Sequence, residues 1–271
     1  MTVFQAIILG LTQGLTEFLP VSSSGHLVLL QGLLNVPLTN DVTFEVFVHF
    51  GTLLSVLVVL RNEIQRIIVA VALGVSPFNI GKAFYRESEY FRLGVGIIVG
   101  SIPAAVIGLM YEDEITQAFT DPKLVSVMLV VTGLILFMTR LAKSKRGKRI
   151  GTRSAILIGL AQAFAIIPGI SRSGSTISMA MFLKHPPALA ARFSFLLSVP
   201  VIAGATSLKS IHLFRDGLTS VELLPLVAGT LTAFVSGYFA IKILLAIIQR
   251  GKLSSFSFYC LTVGVLGILY L

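Results

Sequence analysis

Charged residues are scarce in this chain of 271 residues. Asp, Glu, Lys and Arg make up 12% of it, against 55% hydrophobic residues, where soluble domains carry about 25% charge. The shortage excludes an ordinary soluble enzyme, a disordered segment and a coiled coil. Cysteine is nearly absent. The single Cys260 excludes an intramolecular disulfide and a multi-cysteine metal site. No P-loop, GxGxxG or HExxH motif occurs. The N-terminus has no basic n-region, and Gln13 and Glu17 interrupt its first apolar stretch, so no secretory signal peptide is expected. Acidic residues are fewer than basic ones, 12 against 21, for a net charge of +9. The basic residues cluster between apolar runs, which reads as membrane topology rather than nucleic-acid binding.

What the chain does have is apolar runs of spanning length. Six of them, approximately 44–60, 93–110, 124–141, 187–207, 223–245 and 254–271, match the roughly 20 residues that a hydrocarbon core of ~30 Å demands of a helix. Residues 4–34 and 155–184 are apolar only at their ends. Their middles hold Pro20, Ser22, Ser23, Ser24, Gly25 and His26 in one, and Pro168, Gly169, Ser171, Arg172, Ser173, Gly174, Ser175 and Thr176 in the other. Proline, glycine and hydroxyl runs break helices, and each half is too short to cross alone. The expectation is two helix–loop–helix segments that enter the membrane and return.

These two segments resemble each other. Shifting residues 6–28 by 149 positions gives eight identities in 23: Ala6/Ala155, Ile7/Ile156, Gly10/Gly159, Leu11/Leu160, Gln13/Gln162, Ser22/Ser171, Ser24/Ser173 and Gly25/Gly174. Three spanning helices follow each copy. Internal repeats over approximately 3–149 and 152–271 are therefore expected. Loop charge sets their orientation. The connections at 61–92, 140–153 and 242–252 are basic, holding among others Arg61, Arg66, Arg140, Lys145, Arg149 and Lys242, and belong inside. Those at 35–43 and 111–122 hold Asp41, Glu112, Asp113, Glu114 and Asp121 and no Lys or Arg, and belong outside. Lys209 and Arg215 in the 208–222 connection run mildly against this. The two re-entrant segments then dip in from opposite sides, as in folds with inverted repeats. The fold class is an all-α polytopic membrane protein with about six transmembrane helices plus two re-entrant segments.

Ionisable residues at membrane depth are expensive and mark functional sites by default. Here they are Glu17, His26, Glu45, His49, Arg172 and Arg192. Glu17 shares a helical face with Gln13, four residues earlier; its bland reading is a carboxylate that braces the following loop through backbone N–H groups. Ser22, Ser23, Ser24 and His26 combine hydroxyls with an imidazole, the parts of nucleophilic hydrolysis, although serine-rich turns also merely cap helices. Arg172 among Ser171, Ser173 and Thr176, opening a helix, suits a phosphate; the alternative is a purely structural pair with Glu17. Glu45 and Arg192 begin spanning helices and read as interfacial. His49 reads as a packing residue.

Residues 13–26 and 168–176 resemble the two motifs of the undecaprenyl-diphosphate phosphatase family, also called bacitracin resistance proteins. The first matches (Glu/Gln)xxxGlu with its serine-rich loop and histidine, the second PGxSRSxxT. The chain has Gln13 where many members have Glu. The resemblance implies hydrolysis of C55 isoprenyl diphosphate to the monophosphate and phosphate. In the family this recycles the lipid carrier for cell-wall synthesis at the outer side of the cytoplasmic membrane. It implies a divalent cation, Mg or Ca, on Glu17 with help from Gln13, and catalytic roles for Glu17, Ser23, His26 and Arg172. Ser23, ahead of Ser22 and Ser24, would be the nucleophile and His26 its acid–base partner; direct attack by water, with Ser23 only binding phosphate, is the alternative. Ser22, Ser24, Ser171, Arg172, Ser173 and Thr176 would bind phosphate. Partners are a polyprenyl diphosphate lipid and membrane lipids, with a homodimer left open and no nucleic acid. A transporter or flippase of polyprenyl phosphates and a non-enzymatic lipid-binding scaffold are the competing readings.

Overall fold

The computed structural model describes residues 1–37, 43–75, 82–142, 149–216, 223–249 and 253–270. Among these the regular elements are all helical. In chain order they are α1 (Val3–Phe18), α2 (Ser23–Leu33), α3 (Thr43–Val59), α4 (Arg61–Gly74), α5 (Lys82–Glu87), α6 (Glu89–Met110), α7 (Glu112–Ala118), α8 (Pro122–Met138), α9 (Thr152–Phe164), α10 (Arg172–Phe182), α11 (Pro187–Asp216), α12 (Leu223–Gln249) and α13 (Phe256–Tyr270). Local chemistry starts several of them. Thr2 caps α1 in a reciprocal box with Gln5, and Asp121 with Pro122 at the first turn opens α8, the arrangement that satisfies orphan N–H groups at a helix start.

The chain is an all-α polytopic membrane protein. Among the described residues five helical stretches are long and apolar enough to cross a bilayer: Glu89–Met110, Pro122–Leu141, Pro187–Ile211, Leu223–Ile248 and Leu253–Tyr270. The sixth expected span is α3, which continues into α4 through a bend of 81°. Large side chains such as Leu134, Phe239 and Leu269 project outward, exposed, as lipid-facing positions require.

Two details differ from the sequence expectation. The 61–92 region is not simply a basic connection, because α4 and α5 are helices. In α4, polar Arg61, Asn62, Gln65 and Arg66 alternate with Ile64, Ile67 and Val71, an amphipathic pattern whose apolar side packs on α6. Glu63 on α4 pairs with Arg192 on α11, so Arg192 ties two helices together as well as lying near an end. Much of the expected basic run at 140–153, including Lys145, lies outside the described residues, as does Asp41.

Helix packing follows a pattern. α1 lies along α12 and α9 lies along α6; α3 meets α11, and α8 meets α13. Glycines set the first two crossings. A Cβ on Gly10 would collide with the backbone of Gly229, and one on Gly159 with the backbone of Gly100. Facing glycines let helix backbones touch, a common device where packing rather than the hydrophobic effect holds helices together.

Gly159→Ala is expected to destabilise the protein in detergent by about 1–3 kcal/mol, the usual range for overpacking. Gly32→Ala, where nothing lies within 4 Å, should be neutral or gain up to about 1 kcal/mol through helix propensity. Thermal melting of both variants checks the contrast, and equal melting temperatures would contradict the crossing argument.

Candidate active site

Two loops, one from each half of the chain, build the site. Leu19 and Pro20 end α1. Ser22 follows with φ +68°, a left-handed conformation, and its Oγ accepts from Gly25 N at 3.2 Å to open α2. In the second loop Ser171 Oγ accepts from Gly174 N at 3.0 Å to open α10. The next hydroxyls repeat the likeness, with Ser22 Oγ 3.2 Å from Ser24 Oγ and Ser171 Oγ 3.3 Å from Ser173 Oγ. Gly169 has φ +92°, and a Cβ there would strike the Val125 carbonyl. Only glycine fits that turn. Thr132 on α8 pins it, donating Oγ1 to the Gly169 carbonyl and accepting from Ser171 N, both at 2.9 Å.

The loops touch directly. Ser173 Oγ donates to the Leu19 carbonyl at 3.0 Å, and Gly169 N donates to Ser24 Oγ at 3.4 Å. Glu17 lies at this junction, 6% exposed. Its Oε1 is paired with Arg172 Nη2. Its Oε2 accepts from Ser23 Oγ at 2.5 Å and Gln13 Nε2 at 2.9 Å, and lies 3.4 Å from His49 Nε2. Side chains therefore hold this carboxylate, where the sequence reading offered backbone N–H groups. His49 is anchored in turn through Nδ1, which donates to the Glu45 carbonyl at 2.6 Å. Arg172 also reaches the Ser194 carbonyl through Nη1 at 3.5 Å.

A cavity of about 170 Å³ opens beside this cluster, with Glu17, Ser22, Ser23, Ser24, Ser171 and Arg172 in its wall, together with His49, Gln162 and Ser198. The remaining expected residues sit elsewhere. Ser173 and Thr176 do not line the cavity and instead brace the second loop. Thr176 Oγ1 bonds the Arg172 carbonyl at 2.8 Å and Ser194 Oγ at 2.6 Å. His26 is not in the wall. Its Nδ1 lies 2.7 Å from the Ser22 carbonyl and so donates to it, and its Nε2 lies 2.8 Å from the Tyr259 hydroxyl. The ring stacks on Tyr259 at 5.5 Å between centroids. Ser23 and His26 lie three residues apart on α2, yet Ser23 bonds Glu17 while His26 bonds Tyr259 on α13.

His49 was read as packing, yet it touches Glu17. The signal available was its ionisable ring at membrane depth, one turn after Glu45. Glu45 itself accepts from Gln31 Nε2 at 2.6 Å and lies outside the cavity wall. Among the described residues no group of three or more His, Cys, Asp or Glu could hold a metal ion. Gln13 Oε1 is buried with no hydrogen-bond partner.

The model of the bacitracin resistance protein BacA family matches residues 6–266. The chain belongs to this family. It is 43% identical over 269 residues to the undecaprenyl-diphosphatase of Salinibacter ruber, covering 99% of both chains. It is 42% identical over 271 residues to that of Halothermothrix orenii, covering 99% of this chain and 98% of the relative. A third, from Korarchaeum cryptofilum, is 42% identical over 98% of both chains. The family match takes in both loops and every residue of the cluster.

Removing one member of a buried ion pair leaves the other uncompensated, which typically costs about 3–5 kcal/mol. Arg172→Ala should therefore lower the melting temperature sharply. Glu17→Gln combined with Arg172→Met should recover most of the loss without recovering function. If the double variant melted no higher than Arg172→Ala, the pair would not be the contact that joins the loops.

Proposed function

We propose that this protein hydrolyses undecaprenyl diphosphate to undecaprenyl phosphate and inorganic phosphate, recycling the lipid carrier for cell-wall synthesis. The observation that carries the reading is the buried Glu17–Ser23–Arg172 cluster in the wall of one cavity. A hydroxyl hydrogen-bonded to a carboxylate is an activated nucleophile, and a guanidinium beside it suits a phosphoryl group. The names of the relatives supply the substrate.

A second, larger cavity of about 1090 Å³ shares Ala104 and Val201 with the first. Ala105, Gly108, Leu109, Pro200 and Leu208 give it apolar walls suited to a prenyl tail, and Glu112, Asp113 and Lys209 line it as well. We place these acidic residues at the outer face of the cytoplasmic membrane, on loop charge. The headgroup then enters from outside, and Lys209 lies among acidic neighbours rather than against the topology. The two halves are inverted repeats in this reading, with α1–α2 and α9–α10 as re-entrant pairs. At about 1.5 Å per residue none of these four helices spans ~30 Å, and the matched crossings of α1 on α12 and α9 on α6 support it.

In the mechanism Arg172 and the hydroxyls of Ser22, Ser24 and Ser171 receive the terminal phosphoryl oxygens. Ser23 Oγ attacks the terminal phosphorus while its proton passes to Glu17 Oε2, and undecaprenyl phosphate leaves. Water then opens the phosphoserine. Glu17 returns its proton to Ser23 Oγ, and the proton of the water leaves with inorganic phosphate. His49 lies beside Glu17, its Nε2 3.4 Å from Oε2. His26 is a positioning residue that ties the Ser22 carbonyl to α13. Glu17 is the carboxylate in the cavity wall that would hold a divalent cation together with the diphosphate's own oxygens, as Mg²⁺ is commonly bound, whereas Gln13 Oε1 is buried outside that wall. Such an ion would supply charge neutralisation at the phosphates.

The test is phosphate release by detergent-purified protein, where transport is impossible. Release from prenyl diphosphates is expected, reduced by a chelator and restored by Mg²⁺ or Ca²⁺. Ser23→Ala and Arg172→Ala should each lower kcat by about 100-fold or more, the scale seen when a nucleophile or charge-stabilising group is removed. A folded parent protein that released no phosphate with cation present would leave the flippase reading in its place.

A further inference from the structure

Gln162 on α9 occupies the position of Gln13 on α1 when the two segments are aligned. Their surroundings differ. Gln13 donates to Glu17, four residues later on its own helix. The residue four after Gln162 is Ile166, which offers no acceptor. Gln162 is 2% exposed, it lines the same cavity as Glu17, Ser23 and Arg172, and neither its Nε2 nor its Oε1 has a hydrogen-bond partner in the protein. Buried amides are almost always paired, because the lost hydration is otherwise not recovered.

None of the polar neighbours in the cavity wall pairs with this amide. Ser23 donates to Glu17, Ser198 donates to the Phe195 carbonyl, and Ser22 and Ser171 cap their helices. An amide held in that wall with a free N–H₂ lacks an acceptor, and a diphosphate is rich in acceptors.

We propose that Gln162 is a substrate-binding residue, donating from Nε2 to an oxygen of a diphosphate held in the cavity that Arg172 also lines. This rests on the phosphatase reading. It adds a neutral, directional donor contributed by the second half of the chain. The contact discriminates the diphosphate from hydrocarbon without adding charge beside the Glu17–Arg172 pair.

Two variants and two readouts test it. Gln162→Met keeps the length and removes both unpaired groups, so its melting temperature should equal or exceed that of the parent. Its kcat/KM on a prenyl diphosphate should fall about 10- to 100-fold, the range for a lost hydrogen bond to a charged oxygen. Gln162→Glu, isosteric and anionic, should fall further. Calorimetric titration with inorganic diphosphate should show the same weakening, in a measurement that needs no turnover. Parental kcat/KM together with parental diphosphate affinity in Gln162→Met would overturn the proposal. So would a rate loss matched by a fall in melting temperature, which would make Gln162 a packing residue. A parent that binds diphosphate but releases no phosphate would sink the phosphatase reading alone, and the titration of the two variants would still decide the role of Gln162.

Discussion

One ion pair joins the two loops of this protein and sets the terms for its surroundings. Glu17 closes α1 and Arg172 opens α10. Either charge left alone at this buried junction would be severely destabilising, so the pair holds the loops together. Three further groups share the carboxylate: Ser23, Gln13 and His49. Such a cluster is worth building only if the backbone around it is fixed, and the fold supplies that. Thr132 ties both sides of Gly169, Ser173 ties the second loop to Leu19, and paired glycines set the depth of α1 and α9 against their neighbours.

The halves use one local geometry for different chemistry. Ser22 and Ser171 cap their helices in the same way, and the following hydroxyls lie at nearly the same distance. The next aligned position is Ser23 in one loop and Arg172 in the other. Each is the first residue of its helix, where backbone N–H groups point outward and favour an anion. One loop thus presents a hydroxyl and the other a guanidinium from equivalent places. The carboxylate is confined to the first half, since Ile166 stands opposite Glu17 in the alignment.

Most of the fold was legible in the sequence because lipid imposes a simple rule. Backbone groups in hydrocarbon must bond internally, so apolar length alone locates α6, α8, α11, α12 and α13. The bent continuation of α3 into α4 was not legible, since α4 is amphipathic and charged enough to pass for a loop. For the site, sequence marked the costly residues but could not give their directions. Glu17, Ser23 and Arg172 converge. Both histidines depart from expectation: His26 bonds Tyr259 on α13, while α3 delivers His49 to Glu17. The phasing of α3 against α1 is a tertiary fact, and no spacing within 43–59 encodes it. Ser173 and Thr176 looked like ligands for the same reason: a hydroxyl run gives residue types, and the helix then turns half of them inward.

The Glu17–Arg172 pair also explains how one carboxylate can be both a structural counter-ion and the proposed base. Arg172 carries five N–H donors, and Glu17 and the Ser194 carbonyl occupy one nitrogen each. A diphosphate entering the cavity competes for that guanidinium with several charged oxygens against two. As phosphate oxygens take up the positive charge, Glu17 loses part of its stabilisation and becomes the stronger proton acceptor. Its nearest hydroxyl proton is that of Ser23, already hydrogen-bonded to Oε2. In this arrangement the proposed nucleophile would be activated by the substrate's own charge. Without substrate, the carboxylate stays quenched by its cation, and a loose water meets a weak base. A membrane enzyme that must not hydrolyse the other phosphate esters around it gains from a base that is released only when a headgroup with enough negative charge to displace it has reached Arg172.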